Sequence, residues 1–182
     1  MRIFKPVALG VISVFVAGCS LLGGVGLGSW SGPRQELPVP LEITLMVAKG
    51  ANPAVDGRPS PVVLTIFELS GISAFQTVDF FTLQQTDGSS LAGEFVAAEQ
   101  HILLPGEVKV IRRKADLRSR FIGVTAGFRD LENSTWRASA ALPPPYLAGR
   151  AITSGSSPQK KLYVLVTENS VRVRETLEVK QP

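Results

Sequence analysis

The sequence predicts an all-β protein, an antiparallel β-sandwich of seven to eight strands with one or two short added helices. Short runs alternate apolar and polar residues, as half-buried strands do. Segments rich in Gly, Pro, Asn and Asp separate these runs at short intervals, which is typical of a sandwich. Near the end of the chain, two alternating runs flank Glu168-Asn169-Ser170, the pattern of a β-hairpin.

The first 18 residues have the features of a secretory signal. Arg2 and Lys5 precede an apolar run that begins at Leu9, and small residues lead into Cys19, the only cysteine. The run is too short for a transmembrane helix, which needs about 20 apolar residues. We therefore predict a signal over residues 1–18. An ordinary cleavage site near an unmodified Cys19, and an uncleaved membrane anchor, remain alternatives.

A signal that ends in small residues and a lone cysteine resembles the lipobox of bacterial lipoproteins. The resemblance implies cleavage before Cys19, a thioether-linked lipid on its sulfur and acylation of its new amino group. In lipoproteins of Gram-negative bacteria, an aspartate after this cysteine tends to retain the protein in the inner membrane. This chain has Ser20 there. The resemblance therefore implies a lipid anchor in the periplasmic face of the outer membrane.

Composition argues against several classes of function. The formal net charge is +4 at pH 7 and falls when Arg2 and Lys5 leave with the signal, which is too little to favour nucleic acid. Cys19 and the single histidine, His101, provide no zinc pattern, and no internal disulfide can form. The carboxylates show no paired spacing, and no phosphate-binding loop appears. We expect a non-enzymatic protein without metal or cofactor.

The folded domain is predicted over residues 41–182. Residues 19–40 are rich in Gly, Ser and Pro without periodicity, so we interpret them as the lipidated cysteine and a flexible tether. Residues 41–48 and 62–70 are predicted strands, joined by a long loop over residues 49–61.

The middle of the chain is predicted to add a helix and further strands. A roughly helical apolar stripe over residues 73–85 predicts one short helix, followed by a turn at Asp87-Gly88. Residues 94–104 are ambiguous, and their second half is interpreted as a strand. A turn at Pro105-Gly106 is predicted to join it to a neighbouring strand over residues 107–113. The apolar residues 121–128 predict a strand buried on both faces or deep in the sandwich, and residues 135–142 another.

The loop over residues 49–61 is the strongest candidate for a binding site. It is longer than common hairpin connections, and Pro53, Pro59 and Pro61 restrict its backbone. A partly rigid exposed loop loses less entropy on binding than a mobile one. Asn52, Asp56 and Arg58 then offer hydrogen bonds to a partner, with Gly57 free to take a positive φ. A plain connector is the alternative interpretation.

A basic run follows the strand at residues 107–113. Its cations are interrupted by Asp116 alone and comprise Arg112, Arg113, Lys114, Arg118 and Arg120. One interpretation is a solvated connection between strands. The other is contact with anionic lipid or cell-wall phosphates, worth about 1 kcal/mol per cation at an acidic membrane surface.

Several fragments in a fixed order resemble the outer-membrane lipoproteins of bacterial type VI secretion systems, the TssJ (SciN) family. They are N-P at residues 52–53, G-R-P-S-P-V at 57–62, F-E-L at 67–69, D-F-F at 79–81, L-P-G at 104–106, I-G-V-x-A-G-F-R-D-L at 122–131 and W-R at 136–137. The resemblance covers about residues 41–142 and the final hairpin. It implies a transthyretin-like sandwich with an added helical element.

The same resemblance implies a non-enzymatic role in the secretion envelope complex. The family's lipoprotein holds the periplasmic C-terminal part of the large inner-membrane subunit TssM, and a peptidoglycan-side subunit completes the complex. The family's contact loop corresponds to residues 49–61, so the implied contacts are Asn52, Pro53, Asp56, Gly57, Arg58, Pro59 and Ser60. Deleting residues 50–58 is expected to abolish this contact without unfolding the domain. The alternative is a lipoprotein of another class, a pilot or inhibitor that captures an exported protein or small ligand.

Overall fold

The computed structural model describes residues 35–85, 88–148 and 159–175. Within these ranges the chain forms ten strands, two short α-helices and one 3₁₀ turn at Ser89–Leu91. The strands and helices are β1 (Glu36–Leu37), β2 (Pro40–Val47), β3 (Val62–Leu69), α1 (Ser73–Thr77), α2 (Phe80–Leu83), β4 (Phe95–Leu103), β5 (Val108–Lys114), β6 (Phe121–Gly127), β7 (Arg137–Ala141), β8 (Tyr146–Leu147), β9 (Lys160–Val166) and β10 (Val171–Arg174). No helix in the described ranges is long and apolar enough to cross a membrane.

Eight of these strands form the two sheets of a sandwich, so the predicted fold class is confirmed. The first sheet has the order β10-β9-β2-β5 and the second the order β4-β3-β6-β7, while β1 pairs with β8. One pairing differs from the antiparallel prediction. The strand β2 runs parallel to β9, from Leu41 beside Lys160 to Val47 beside Val166. Alternation along a strand shows which residues are buried, but carries no information about the direction of its neighbour.

The core lies between the two sheets and follows the predicted alternation. In β2, Leu41, Ile43, Leu45 and Val47 are buried, and each is separated from the next by a half-exposed residue. Five consecutive residues of β6 are buried, as its apolar sequence predicts. Both faces of β6 are covered because one faces the first sheet and the other faces the helical segment.

The helical segment covers the outer face of the second sheet. Here the structure differs from the sequence prediction of one helix over residues 73–85. Two helices form because Val78 has extended backbone, and Asp79 then caps α2 by accepting a hydrogen bond from the Thr82 N–H at 3.0 Å. The bonds from Thr82 also hold the pKa of Asp79 below its usual value. The covered residues form a second cluster of Phe67, Leu69, Phe75, Leu83 and Leu91.

The Trp136-Arg137 pair ties this helical segment to β7. The Arg137 Nη1 donates to the carbonyl oxygen of Phe75, within α1, at 2.6 Å and to that of Val78, directly after α1, at 2.9 Å. The guanidinium also lies 4.4 Å from the centre of the Trp136 ring, within cation–π range. Burial lowers the pKa of Arg137 from the usual arginine value. A helix of five residues therefore depends on tertiary contacts rather than on its own propensity.

Three further predictions are corrected or bounded by the structure. The Pro105-Gly106 turn does not join neighbours in one sheet, because β4 and β5 belong to opposite sheets. The ambiguous stretch forms a strand from Phe95, not only in its second half. Folded structure begins before Leu41, since Glu36–Leu37 pairs with β8 and Val39 is buried. Residues 1–34, 149–158 and 176–182 lie outside the described part of the chain, as do residues 86–87 of the turn predicted at Asp87-Gly88.

We predict that Gly123→Ala destabilises the protein by about 2 kcal/mol, in the range for overpacked cores. A Cβ at this position would lie 2.7 Å from Cζ of Phe75, a fully buried side chain that cannot easily move away. Chemical denaturation measures the loss. Gly127→Ala is the matched control, because its added Cβ would meet neighbours at 3.6 Å, an ordinary contact distance. Equal stabilities of the two variants would contradict the packing argument.

Candidate functional site

Three connections meet at one end of the sandwich. They are residues 48–61 between β2 and β3, residues 128–136 between β6 and β7, and residues 167–170 between β9 and β10. Backbone hydrogen bonds join them: the Asn52 N–H donates to the Glu168 carbonyl at 3.0 Å, and the Thr135 N–H to the Asn169 carbonyl at 2.9 Å. We call this end of the sandwich the loop end.

Asn52 holds the base of the first loop against the other two. Its side chain is buried and donates from Nδ2 to the Pro61 carbonyl at 2.7 Å, while its Oδ1 accepts from the Arg129 N–H at 2.8 Å. Its φ is +51°, a left-handed conformation that asparagine adopts more readily than most residues. Ser60, also buried, donates its N–H to the Ala51 carbonyl across the base. These bonds fix both ends of the loop.

Beyond this base, residues 54–58 form a narrow projecting tip. The Ala54 N–H donates to the Arg58 carbonyl at 2.8 Å, and the Gly57 N–H to the Ala54 carbonyl at 2.8 Å. Gly57 has φ +78°, and these features match a three-residue hairpin loop with glycine in the left-handed position. Val55 is fully exposed at the tip, with a relative accessibility of 110%. An apolar side chain is thus presented to solvent on ordered backbone.

Asp56 and Arg58 add charge to the tip. The Asp56 Oδ1 accepts from the Arg58 N–H at 3.1 Å, and its Oδ2 lies 3.4 Å from the Arg58 Nε. Both side chains are more than half exposed, so this ion pair contributes little to stability. Both charged side chains are therefore accessible to a partner that approaches the tip.

An open cleft of about 620 Å³ lies beside the tip. Its walls are residues 52–55 from the first loop, residues 128–130 from the second, and Glu168 with Asn169 from the third. Arg129 and Asp130 are exposed, so a cation and an anion face the same opening. The loop end therefore offers an apolar projection and a polar cleft side by side.

The predicted loop residues divide into two groups. Asn52 and Ser60 are buried in the base and position the loop, whereas five others are exposed on it: Pro53, Asp56, Gly57, Arg58 and Pro59. The deletion of residues 50–58, which is expected to abolish partner contact and leave the domain folded, would also remove Asn52 and its bonds to Pro61 and Arg129. Substitutions at the tip are the cleaner test. Cys19, the predicted lipidation site, lies outside the described residues.

Val55 and the residues of the second and third loops were not predicted as part of the site. The sequence could have identified Val55, since it is the only large aliphatic residue between Ala51 and Pro61 in a polar loop. No sequence feature indicates that Arg129 and Glu168 belong to the site, because their proximity to Asn52 depends on which strands pair. Among the described residues, no group of three or more His, Cys, Asp or Glu side chains is arranged to hold a metal.

We predict that Asn52→Ala lowers the free energy of unfolding by about 2–3 kcal/mol. The change leaves the Arg129 N–H and the Pro61 carbonyl without their partner and places alanine in a left-handed conformation. Asn52→Gly loses the same bonds but avoids the backbone strain. Its free energy of unfolding should therefore be about 1 kcal/mol higher than that of Asn52→Ala. Thermal denaturation of both variants, with exposed Asp56→Ala as control, checks this. An Asn52→Ala protein as stable as the control would contradict it.

Residues 39–169 match the model of the T6SS-SciN family, whose description is "Type VI secretion lipoprotein, VasD, EvfM, TssJ, VC_A0113". The matched segment includes the first two loops of the loop end and residues 167–169 of the third. No curated protein matches the chain in sequence.

Solved structures share the fold. The T6SS lipoprotein TssJ1 from Pseudomonas aeruginosa is 27% identical with a TM-score of 0.67, over 78% of this chain and 98% of that one. Serratia marcescens Lip, a membrane bound component of the Type VI Secretion System, is 24% identical with a TM-score of 0.66, over 78% of this chain and 100% of that one. A chain of the structure described as the T6SS protein TssM C-terminal domain from EAEC is 20% identical with a TM-score of 0.57, over 75% of this chain and 98% of that one.

Proposed function

Because the chain belongs to the type VI secretion lipoprotein family, we propose that it anchors the secretion envelope complex by docking the periplasmic part of a TssM-like inner-membrane subunit. As a member of this family it is a structural lipoprotein component of the secretion system and not an enzyme. The proposal adds a lipid on Cys19, a position at the outer membrane, and the tip at residues 54–58 as the docking element.

The observation that carries the docking proposal is the ordered tip with its fully exposed valine. An exposed apolar side chain on rigid backbone loses little conformational entropy when a partner covers it, and its burial removes apolar surface from water. The neighbouring Arg58, Arg129 and Asp130 supply the polar rim that favours one orientation of the partner.

The choice of partner rests on the family and on one comparison. A chain with this fold occurs in the structure described as the T6SS protein TssM C-terminal domain from EAEC, and we take this likeness of fold as support for a TssM-like partner. We also propose that a peptidoglycan-side subunit belongs to the same complex.

The course of β2 suggests how such an anchor carries load between membranes. This strand begins four residues after Glu36, close to where the chain arrives from Cys19, and ends at the loop end. It is hydrogen-bonded to β5 along residues 40–46 and to β9 along residues 41–47. Force along the strand therefore acts on many hydrogen bonds at once, on both sides, rather than opening them one at a time. The anchor and the docking tip are thus joined by a central strand.

Co-purification tests the proposal. The full-length chain is expected to retain the periplasmic part of the TssM-like subunit encoded by the same organism, and loss of the gene is expected to stop type VI secretion. Reintroducing the gene should restore both results. If secretion is normal without the gene and no such subunit is retained, the chain is instead a pilot or inhibitor that binds another exported protein or ligand.

A further inference from the structure

The end of the sandwich opposite the loop end carries a group of exposed cations. We call it the basic end: Arg112, Lys114, Arg118 and Lys161 are exposed there, and the half-buried Arg120 lies beside them. The side chain of Arg112 is 70% exposed, that of Arg118 is 67% exposed and that of Lys161 is 51% exposed. Leu117 is 41% exposed among them, in the connection between β5 and β6. An apolar side chain surrounded by cations is a common composition for segments that lie in a membrane interface.

A buried carboxylate holds this connection in shape. Glu68 in β3 is 5% exposed in its side chain, and its Oε2 accepts from the Asp116 N–H at 2.9 Å and from the Ser119 Oγ at 2.6 Å. Its Oε1 lies 3.2 Å from the Arg113 Nη2, which explains why this one cation of the basic run points inward. The Arg120 Nη1 donates to the Leu117 carbonyl at 2.8 Å. The connection therefore loses little freedom when it meets a surface.

Charge at the basic end is positive after its acidic residues are counted. Glu42 accepts a hydrogen bond from Arg112 at 2.8 Å and lies 3.7 Å from Lys161, and Asp116 pairs with Arg118 at 3.0 Å. These two carboxylates thus pair with three of the five cations, and the neighbouring Lys160 pairs with Glu175. The pKa of both carboxyl groups is held low, by Arg112 and by Arg118 respectively, so the pairing persists well below neutral pH.

The chain that leads to Cys19 joins the domain beside this surface. The Ala115 N–H donates to the Val39 carbonyl at 2.9 Å, and Pro40 lies opposite Lys114 in the sheet. Sixteen positions separate Cys19 from Gln35, a path of at most roughly 55 Å when fully extended. The tip at residues 54–58 follows β2 at its other end, roughly 25 Å further along the strand. The segment that leads to Cys19 therefore enters the described domain at the basic end, and the tip lies at the other end of β2.

We propose that the basic end rests on the anionic phospholipid surface of the membrane that holds the anchor, with Leu117 in the interface. This rests on the proposed function in one respect, since the lipid on Cys19 supplies the high local concentration of membrane. The contact orients the sandwich so that the tip points away from the bilayer and toward its partner.

Vesicle co-sedimentation tests the proposal with residues 19–182 carrying Cys19→Ser. We expect this chain to bind vesicles that contain phosphatidylglycerol more tightly than vesicles of phosphatidylcholine alone, and 1 M NaCl to remove the difference. Lys114→Ala with Lys161→Ala should weaken binding about 25-fold, from roughly fivefold, or ~1 kcal/mol, per cation. Leu117→Asp should weaken it further. Circular dichroism confirms that each variant remains folded.

The matched control removes two cations from the loop end, with Lys49→Ala and Arg58→Ala. It changes net charge equally and is expected to leave vesicle binding within about twofold of the parent chain. Equal losses for both pairs would show an unspecific charge effect and overturn the proposal. Displacement by millimolar inorganic phosphate at constant ionic strength, or binding to isolated peptidoglycan in place of vesicles, would overturn it too. No TssM-like subunit or lipid on Cys19 takes part, so failure here is distinguishable from failure of docking or anchoring.

Discussion

Val55→Asp combined with Arg58→Glu is expected to abolish binding of the TssM-like subunit while the sandwich stays folded. The first change places a charge on the fully exposed apolar tip, and the second reverses the charge of an exposed cation beside it. Burying an unpaired carboxylate in an interface is costly, and hot-spot losses of this kind reach several kcal/mol. We expect an affinity at least 100-fold lower, or about 3 kcal/mol.

Titration calorimetry with the purified periplasmic part of the partner measures this effect. The matched control applies the same chemical changes at the basic end, Leu117→Asp with Arg118→Glu, and should bind the partner in solution like the parent chain. Both variants are also compared by thermal denaturation, because the tip residues make few contacts beyond their own turn. Wild-type affinity in the tip variant would exclude residues 54–58 as the docking element.

Cys19→Ser is expected to eliminate type VI secretion while leaving partner binding in solution intact. The substitution removes the sulfur on which the predicted lipid is carried. Burying acyl chain stabilises membrane attachment by about 0.8 kcal/mol per CH₂ group, so several chains hold a protein firmly and none leaves it free in the periplasm. A docking domain without an anchor binds its partner but transmits no load to the outer membrane.

Ser20→Asp separates anchoring in general from anchoring in the outer membrane. By the lipoprotein sorting pattern, this variant should receive its lipid and remain in the inner membrane. Membrane fractionation locates both variants, and export of a type VI substrate into the medium is the functional readout. We expect that neither variant supports export of the substrate. Cys19→Ser should appear in the soluble fraction and Ser20→Asp in the membrane fraction. Secretion by Cys19→Ser at the level of the parent would show that the lipid is incidental.

Local sequence was sufficient for most of the strands and for the location of the loop. The alternation in β2 predicts which residues enter the core, and the apolar run of β6 predicts a strand covered on both sides. The Gly and Pro content of residues 49–61 predicts an ordered projection, and Gly57 takes the positive φ expected of it. These properties depend on neighbours within a few residues, which is the range over which propensity and burial patterns act.

Strand pairing decided the features of the fold that local sequence does not predict. Alternation places a residue on a face but does not name the strand beside it, so the parallel β2–β9 pair and the crossing from β4 to the opposite sheet appear only in the folded chain. The same holds for contacts across long separations. Asn52 meets Arg129, 77 residues away, and Glu68 meets Ser119, 51 residues away. The sequence by itself predicted a signal and a lipidation site, and it determined a β-rich domain with a projecting loop. Only tertiary structure decided that the loop is held by two others at one end while Arg112, Lys114 and Arg118 of the basic run are exposed at the opposite end, because strand order and direction set which connections meet.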